Sequence, residues 1–147
     1  MTAAFWVGRL GLVTVHTGFK GSWLVLMLRH QGAEVSGFAL EPPTEPALFN
    51  VARIGALLDQ HIIADIRNPA AVADALVAVQ PEVIFNLAAQ SLVRKSYAEP
   101  IETFAVNVMG SVHLLEAARH CPSLRCIVNV TTDKCYQNNE GPWPYRE

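Results

Sequence analysis

The stretch Leu10-Gly11-Leu12-Val13-Thr14-Val15-His16-Thr17-Gly18-Phe19-Lys20-Gly21-Ser22-Trp23-Leu24-Val25-Leu26-Met27-Leu28 decides the fold. Leu10 to Thr14 is a short apolar run rich in branched side chains. From Trp23 to Leu28 apolar residues recur at helical spacing, so the order is strand, glycine turn, helix. Gly18 and Gly21 stand three apart in the turn. Glycine lets a backbone approach a diphosphate closely, and the free amides and dipole at a helix N-terminus favour its negative charge. A glycine pair placed after a first strand and opening a helix points to dinucleotide binding more than to a plain structural turn.

Working outward, Gly32 stands where the first helix should stop, and Ala33 to Ala39 resumes as a second strand, completing a strand-helix-strand unit. Glu41-Pro42-Pro43-Thr44-Glu45-Pro46 cannot continue a helix or a central strand and reads as a surface loop, with a short helix after it at Leu48 to Leu58. His61 to Ala64 reads as a third strand leading into Asp65-Ile66-Arg67. Asn68 then caps a helix that starts at Pro69 and carries Val72, Ala75, Leu76 and Val79 on one face. Val83 to Leu87 is an almost wholly apolar fourth strand, of the kind covered by helices on both sides. A polar loop through Arg94, Lys95 and Tyr97 leads to a long helix from Pro100 to His120. Ile127 to Val130 is the fifth strand, with Thr131-Thr132-Asp133-Lys134 at its carboxyl end.

Strands alternating with helices through right-handed crossovers specify an α/β fold with a doubly wound parallel sheet, Rossmann-like, of about five strands in the order 3-2-1-4-5. Its ligand crevice is expected at the carboxyl ends of the first and fourth strands. The sixth strand of the usual arrangement is missing, so one sheet edge is expected to be open. Residues 1–147 read as one incomplete dinucleotide-binding domain, truncated before any substrate domain.

The composition excludes several classes. With 51% hydrophobic and 16% charged residues, disorder and fibrous repeats are ruled out. A formal net charge of −2 argues against a protein that tracks nucleic-acid phosphates. Cys121, Cys126 and Cys135 lack the spacing that metal and redox sites favour, so no metal site is read and reduced thiols are expected. The first residues, Met-Thr-Ala-Ala-Phe-Trp, carry no basic region, and apolar stretches are broken well short of about 20 residues. Neither a secretory signal nor a membrane span is read, and the expected setting is the cytoplasm.

The string Thr14-Val15-His16-Thr17-Gly18-Phe19-Lys20-Gly21-Ser22-Trp23 resembles the cofactor turn of the extended short-chain dehydrogenases/reductases, and within them of the CDP-glucose 4,6-dehydratases. Further stretches share the likeness: Leu87-Ala88-Ala89-Gln90, Leu92-Val93-Arg94, Asn107-Val108-Met109-Gly110 and Asn129-Val130-Thr131-Thr132-Asp133-Lys134-Cys135-Tyr136. They span nearly the whole chain and correspond to the N-terminal portion of that family.

The resemblance implies NAD as cofactor, held by Thr17, Gly18, Phe19, Lys20 and Gly21, by Asp65 and Ile66 at the adenine, by Ala88, Ala89 and Gln90 on the nicotinamide side, and by Asn107. Capping or solvation for Asp65, helix packing for the alanines and plain exposure for Asn107 are the alternatives. After the second strand, where a ribose-binding acid usually stands, Phe38-Ala39-Leu40 is apolar and only Glu41 is close. Arg94 is implied as a contact to a nucleotide sugar, CDP-glucose, although a solvated basic pair with Lys95 is the blander account. Thr132 would hydrogen-bond the C4 oxygen, Asp133 would protonate the departing C6 hydroxyl and Lys134 would assist at C5. The alternative for this cluster is a turn with a surface lysine. Relatives of this kind commonly dimerise, and the Pro100 to His120 helix is the candidate for doing so.

Two departures stand out. Val15 replaces the first glycine of the turn, and a β-branched residue resists positive φ. Strain of about 1–3 kcal/mol would weaken cofactor binding roughly 5-fold to 150-fold if it acted only on the bound state. The Tyr-x-x-x-Lys pair that supplies the base of the oxidation step is also lacking: Tyr136 is followed four places on by Glu140, and Tyr145 only by Arg146 and Glu147. The expected function is therefore the cofactor-binding part of a nucleotide-sugar 4,6-dehydratase, a lyase, inactive by itself. The alternatives are a non-catalytic dinucleotide-binding or interaction module and part of another dehydratase or epimerase.

Overall fold

Five parallel strands carry the architecture of the computed structural model, which describes residues 5–132, 137 and 141–142. The strands are β1 (Leu10–Thr14), β2 (Glu34–Ala39), β3 (His61–Ile63), β4 (Val83–Asn86) and β5 (Cys126–Asn129), in the order β3-β2-β1-β4-β5. Leu12 pairs with Ser36 on one side and Ile84 on the other, and Asn86 pairs with Asn129. All five carboxyl ends therefore share one edge of the sheet, and the chain reverses its direction of travel between β1 and β4. The expected strand order is met, with β2, β3 and β4 each one residue shorter than the sequence suggests and β5 shifted one residue towards the N-terminus.

The helices follow from local signals. The first, α1 (Phe19–His30), is followed by Gln31 and by Gly32 at φ +89. The loop after β2 leads into α2 (Leu48–Val51) and a separate 3-10 turn, Ile54–Leu57, in place of one helix. Arg53, at φ +51, breaks the two apart. In α3 (Pro69–Val79), the Asn68 carboxamide oxygen accepts from the amides of Ala70 and Ala71 at 3.1 and 3.3 Å, and Pro69 fills the first turn.

Two sequence expectations need correction after β4. The segment expected as a polar loop through Arg94 and Lys95 is a helix, α4 (Val93–Ala98), steadied by Lys95 reaching Glu102 at 3.2 Å. The single long helix is divided into α5 (Pro100–Phe104), a π turn at Ala105–Met109 and α6 (Gly110–Ala118). A π turn widens one circuit of a run that stays helical throughout, so a reading that asks only whether the segment is helical does not separate it from its neighbours.

Two apolar layers cover the sheet. Leu12, Phe38 and Ile84 pack with Val72, Ala75, Leu76 and Val79 of α3 and Leu114 and Ala118 of α6. On the other face Val13, Val35 and Val83 pack with Val25 and Leu28 of α1, Phe49 and Ile54. Among the described residues no helix is long and apolar enough to cross a membrane.

Candidate functional site

The turn between β1 and α1 is built from close approaches. A Cβ at Gly21 would lie 2.1 Å from the Val15 carbonyl oxygen, so only glycine fits there. The Gly18 amide donates to that same carbonyl at 3.0 Å, and the Val15 amide donates to Phe38 O at 2.9 Å. Thr17 is buried and its hydroxyl donates to Leu40 O at 2.9 Å, tying the turn to the end of β2. The buried Ser22 hydroxyl donates to His16 O at 3.0 Å. Gly18 stands at the helix N-cap with no side chain to bond the first-turn amides, and that turn holds no acidic residue. Phe19 and Lys20 are exposed there and Gly21 is buried. An uncapped N-terminus with a lysine and no carboxylate suits an anion, and its chemistry fits the diphosphate of a dinucleotide.

Val15 sits at φ +54, the left-handed region where a β-branched residue is strained. The positive φ expected at this position is therefore met. The bonds that hold Val15 in place are the chain's own, to Phe38 and Gly18, so the cost belongs to folding.

His16, next in the chain, is completely buried and neither ring nitrogen has a hydrogen-bond partner. Its ring meets His61 edge-on at 4.8 Å and Phe49 at 5.5 Å between centroids. A Cβ at residue 37 would come within 2.4 Å of the imidazole, and Gly37 makes the room. Burial, and secondarily the charge of His61, lower the His16 pKa from 6.5 to about 4, with the Phe38 carbonyl opposing.

Behind the turn, a relay of polar side chains joins three strand ends. The Leu87 amide donates to Thr14 Oγ1 at 2.8 Å, the Thr14 hydroxyl donates to Asn86 Oδ1 at 2.9 Å, and Asn86 Nδ2 donates to Asn129 Oδ1 at 2.7 Å. The Ala88 amide also reaches Asn86 Oδ1, at 3.2 Å. Thr14 and Asn86 are nearly inaccessible. Sequence reasoning missed this network. The available signal is an asparagine ending each of two otherwise apolar strands, at positions that pair in register.

The remaining candidates distribute as follows. Asp65, just beyond β3, accepts from the Arg67 amide and from Arg67 Nε, each at 2.8 Å. That guanidinium holds its carboxyl below the usual range. Ile66 is buried in the core, and the missing side chain of Gly110 makes room for it. Ala88, Ala89 and Gln90 follow β4 at the crevice edge. Asn107, inside the π turn, accepts from the Gln90 amide at 2.7 Å and donates to Gln90 O at 3.1 Å. Its side chain thus positions the loop after β4. Gln90 in turn bonds Leu92 and Thr103.

Arg94 is exposed on α4, whereas Lys95 is drawn to Glu102 and Glu99, which raise its pKa. Thr132 is exposed beyond β5. Asp133 and Lys134 lie outside the described residues. The glycine turn, the Ala88 to Gln90 loop and Thr132 thus all follow strands that end at one edge of the sheet. Beside them, Glu41, Pro42, Pro43, Phe49 and Asn50 border an open depression of about 420 Å³. No three His, Cys, Asp or Glu side chains among the described residues gather where they could hold a metal ion.

Known proteins match this arrangement. The CDP-glucose 4,6-dehydratase of Salmonella typhimurium is 50% identical over 143 residues, which are 97% of this chain and 40% of that protein. The chain thus spans about 40% of the length of that curated relative. Among solved structures, the UDP-glucose-4-epimerase of Stenotrophomonas maltophila, with bound NAD and formylated UDP-arabinopyranose, superimposes with a TM-score of 0.77. It is 25% identical, over 91% of this chain and 40% of that one. The UDP-glucose 4-epimerase of Thermus thermophilus, in complex with NAD, gives a TM-score of 0.66 at 28% identity, over 79% of this chain and 35% of that one. The model of the family described as GDP-mannose 4,6 dehydratase matches residues 12–146, and to that family this chain belongs.

Proposed function

We propose that residues 1–147 form the NAD-holding domain of a nucleotide-sugar 4,6-dehydratase whose substrate is CDP-glucose. The observation that carries this reading is the uncapped N-terminus of α1 behind Gly18 and Gly21, opening on the edge where β4 and β5 also end. The 50% identity to a CDP-glucose 4,6-dehydratase supports the choice of sugar nucleotide, and the NAD in similar structures supports the cofactor. NAD supplies a hydride acceptor that later returns the hydride.

The chain's own residues do the rest. The amides of Phe19, Lys20 and Gly21 bind the diphosphate, with Thr17 and Gly18 shaping the turn. Asp65 and the main chain of Ile66 receive the adenine. Ala88 and Ala89 leave space for the ribose on the nicotinamide side, and Gln90, fixed by Asn107, borders it. Arg94 faces the sugar diphosphate. Thr132 bonds the C4 oxygen, Asp133 protonates the departing C6 hydroxyl, and Lys134 assists loss of the C5 proton. For Asp133 to act as an acid, desolvation must outweigh the lowering influence of the adjacent Lys134.

The chain holds no tyrosine followed four places on by lysine, so we assign it cofactor binding without turnover. Its free thiols, Cys121 and Cys126, suit the cytoplasm. The exposed apolar residues Ile101, Phe104, Val108, Val112 and Leu115 recur on one helical stripe and suit a homodimer through α5 and α6. Calorimetric titration with NAD, followed by incubation with NAD and CDP-glucose, tests the assignment. Binding without the 4-keto-6-deoxy product is expected. No binding removes the cofactor reading, and product at enzymatic rates removes the claim of inactivity.

A further inference from the structure

Val15 carries two separable physical burdens. Its backbone occupies φ +54, and its side chain lies over the turn: Cγ1 is 3.0 Å from where a Cβ of Gly18 would stand. The isopropyl group therefore covers the face that Gly18 leaves open, and Val15 is only half-buried, so the group borders the mouth of the turn. The backbone cost is already present in the fold, because the bonds to Phe38 and Gly18 impose it. The side chain is different. A charged oxygen needs to come within about 2.7–2.9 Å of an amide nitrogen, and a branched apolar group packed against Gly18, at the start of the first turn, narrows that approach and offers the charge no partner.

We propose that the Val15 side chain, and not its strained backbone, sets this chain's affinity for a dinucleotide diphosphate and keeps it weak. The proposal rests on the cofactor reading above and adds the residue that tunes it. Alanine and glycine at this position separate the two burdens. Val15→Ala removes both methyl groups but keeps a Cβ at positive φ, whereas Val15→Gly removes the strain as well.

The test is a chemical-shift titration of the wild type and both variants with NAD and with adenosine, alongside urea unfolding of each. Both variants are expected to bind NAD tighter by roughly 5-fold to 150-fold, the range that relief of overpacking commonly spans. Val15→Gly is expected to raise the urea midpoint more than Val15→Ala, which loses the β-branch but keeps a Cβ at positive φ. Adenosine, which has no phosphate, is expected to bind all three proteins alike. Equal NAD affinity in all three overturns the proposal and leaves the cofactor reading standing. Tightening in Val15→Gly alone overturns it in favour of the backbone. Failure of all three to bind NAD removes the cofactor reading itself, and the proposal with it.

Discussion

His16 shows how much a single residue costs when it is buried without partners. Its folded pKa, about 4, lies below the ordinary 6.5, so the folded protein prefers the neutral ring. Stability is therefore full above pH 6.5. It falls as the pH drops towards 4, because the unfolded chain takes a proton that the folded chain refuses. The difference corresponds to about 3 kcal/mol once the pH is below both values. An NMR titration should find the His16 ring neutral down to about pH 4. Urea midpoints should fall between neutral and mildly acid pH, and a ring titrating near its ordinary value would refute the argument. The hazard of Val15 was legible in the sequence, because the resemblance of the turn to a known cofactor turn implies glycine at that position and a β-branched residue resists positive φ. The burial of His16 was not: its space depends on Gly37, a residue of another strand, and on the register that sets Gly37 beside His61.

At the scale of elements, the π turn at Ala105–Met109 matters most. It falls where Asn107 bonds both the amide and the carbonyl of Gln90, fixing the loop after β4 by two bonds from one side chain. Asn107→Leu should leave the Gln90 peptide without those partners, at a cost of about 1–3 kcal/mol. Hydrogen exchange at the Gln90 amide should accelerate in the variant while the amides of β1 and β2 keep their protection. An unchanged rate at Gln90 would show that the tether is dispensable. The sequence gives away the asparagine as misplaced in a helix but not the loop it holds, because that contact crosses seventeen residues. Nor was α4 legible: it is six residues long, has no capping side chain, and depends on an ion pair to Glu102 in the next helix. By contrast, α3 could be read outright, since Asn68, Pro69 and the spaced apolar residues all act locally.

For the whole molecule, the strand order was legible because right-handed crossovers leave few alternatives once strands and helices alternate. The faces left open are less so. Val112, Leu115, Leu124 and Ile127 line an apolar groove between α6 and β5, and β5 forms one border of the sheet. On the neighbouring stripe, proposed above for a homodimer, Ile101 is 86% and Phe104 66% exposed. Sedimentation of the wild type should show a dimer, and the double variant Phe104→Glu with Val108→Glu should sediment as a monomer with unchanged circular dichroism. A monomeric wild type at every concentration would exclude that interface.

The relay beneath the crevice also has a polarity that cannot be reversed. Its protons point one way, from the Leu87 amide through Thr14 to Asn86 and on to Asn129, so each member has an assigned direction. Position 14, almost fully buried, must receive with one lone pair and give with its own hydrogen. Serine keeps both duties with a hydroxyl, whereas a cysteine thiol would perform them only weakly.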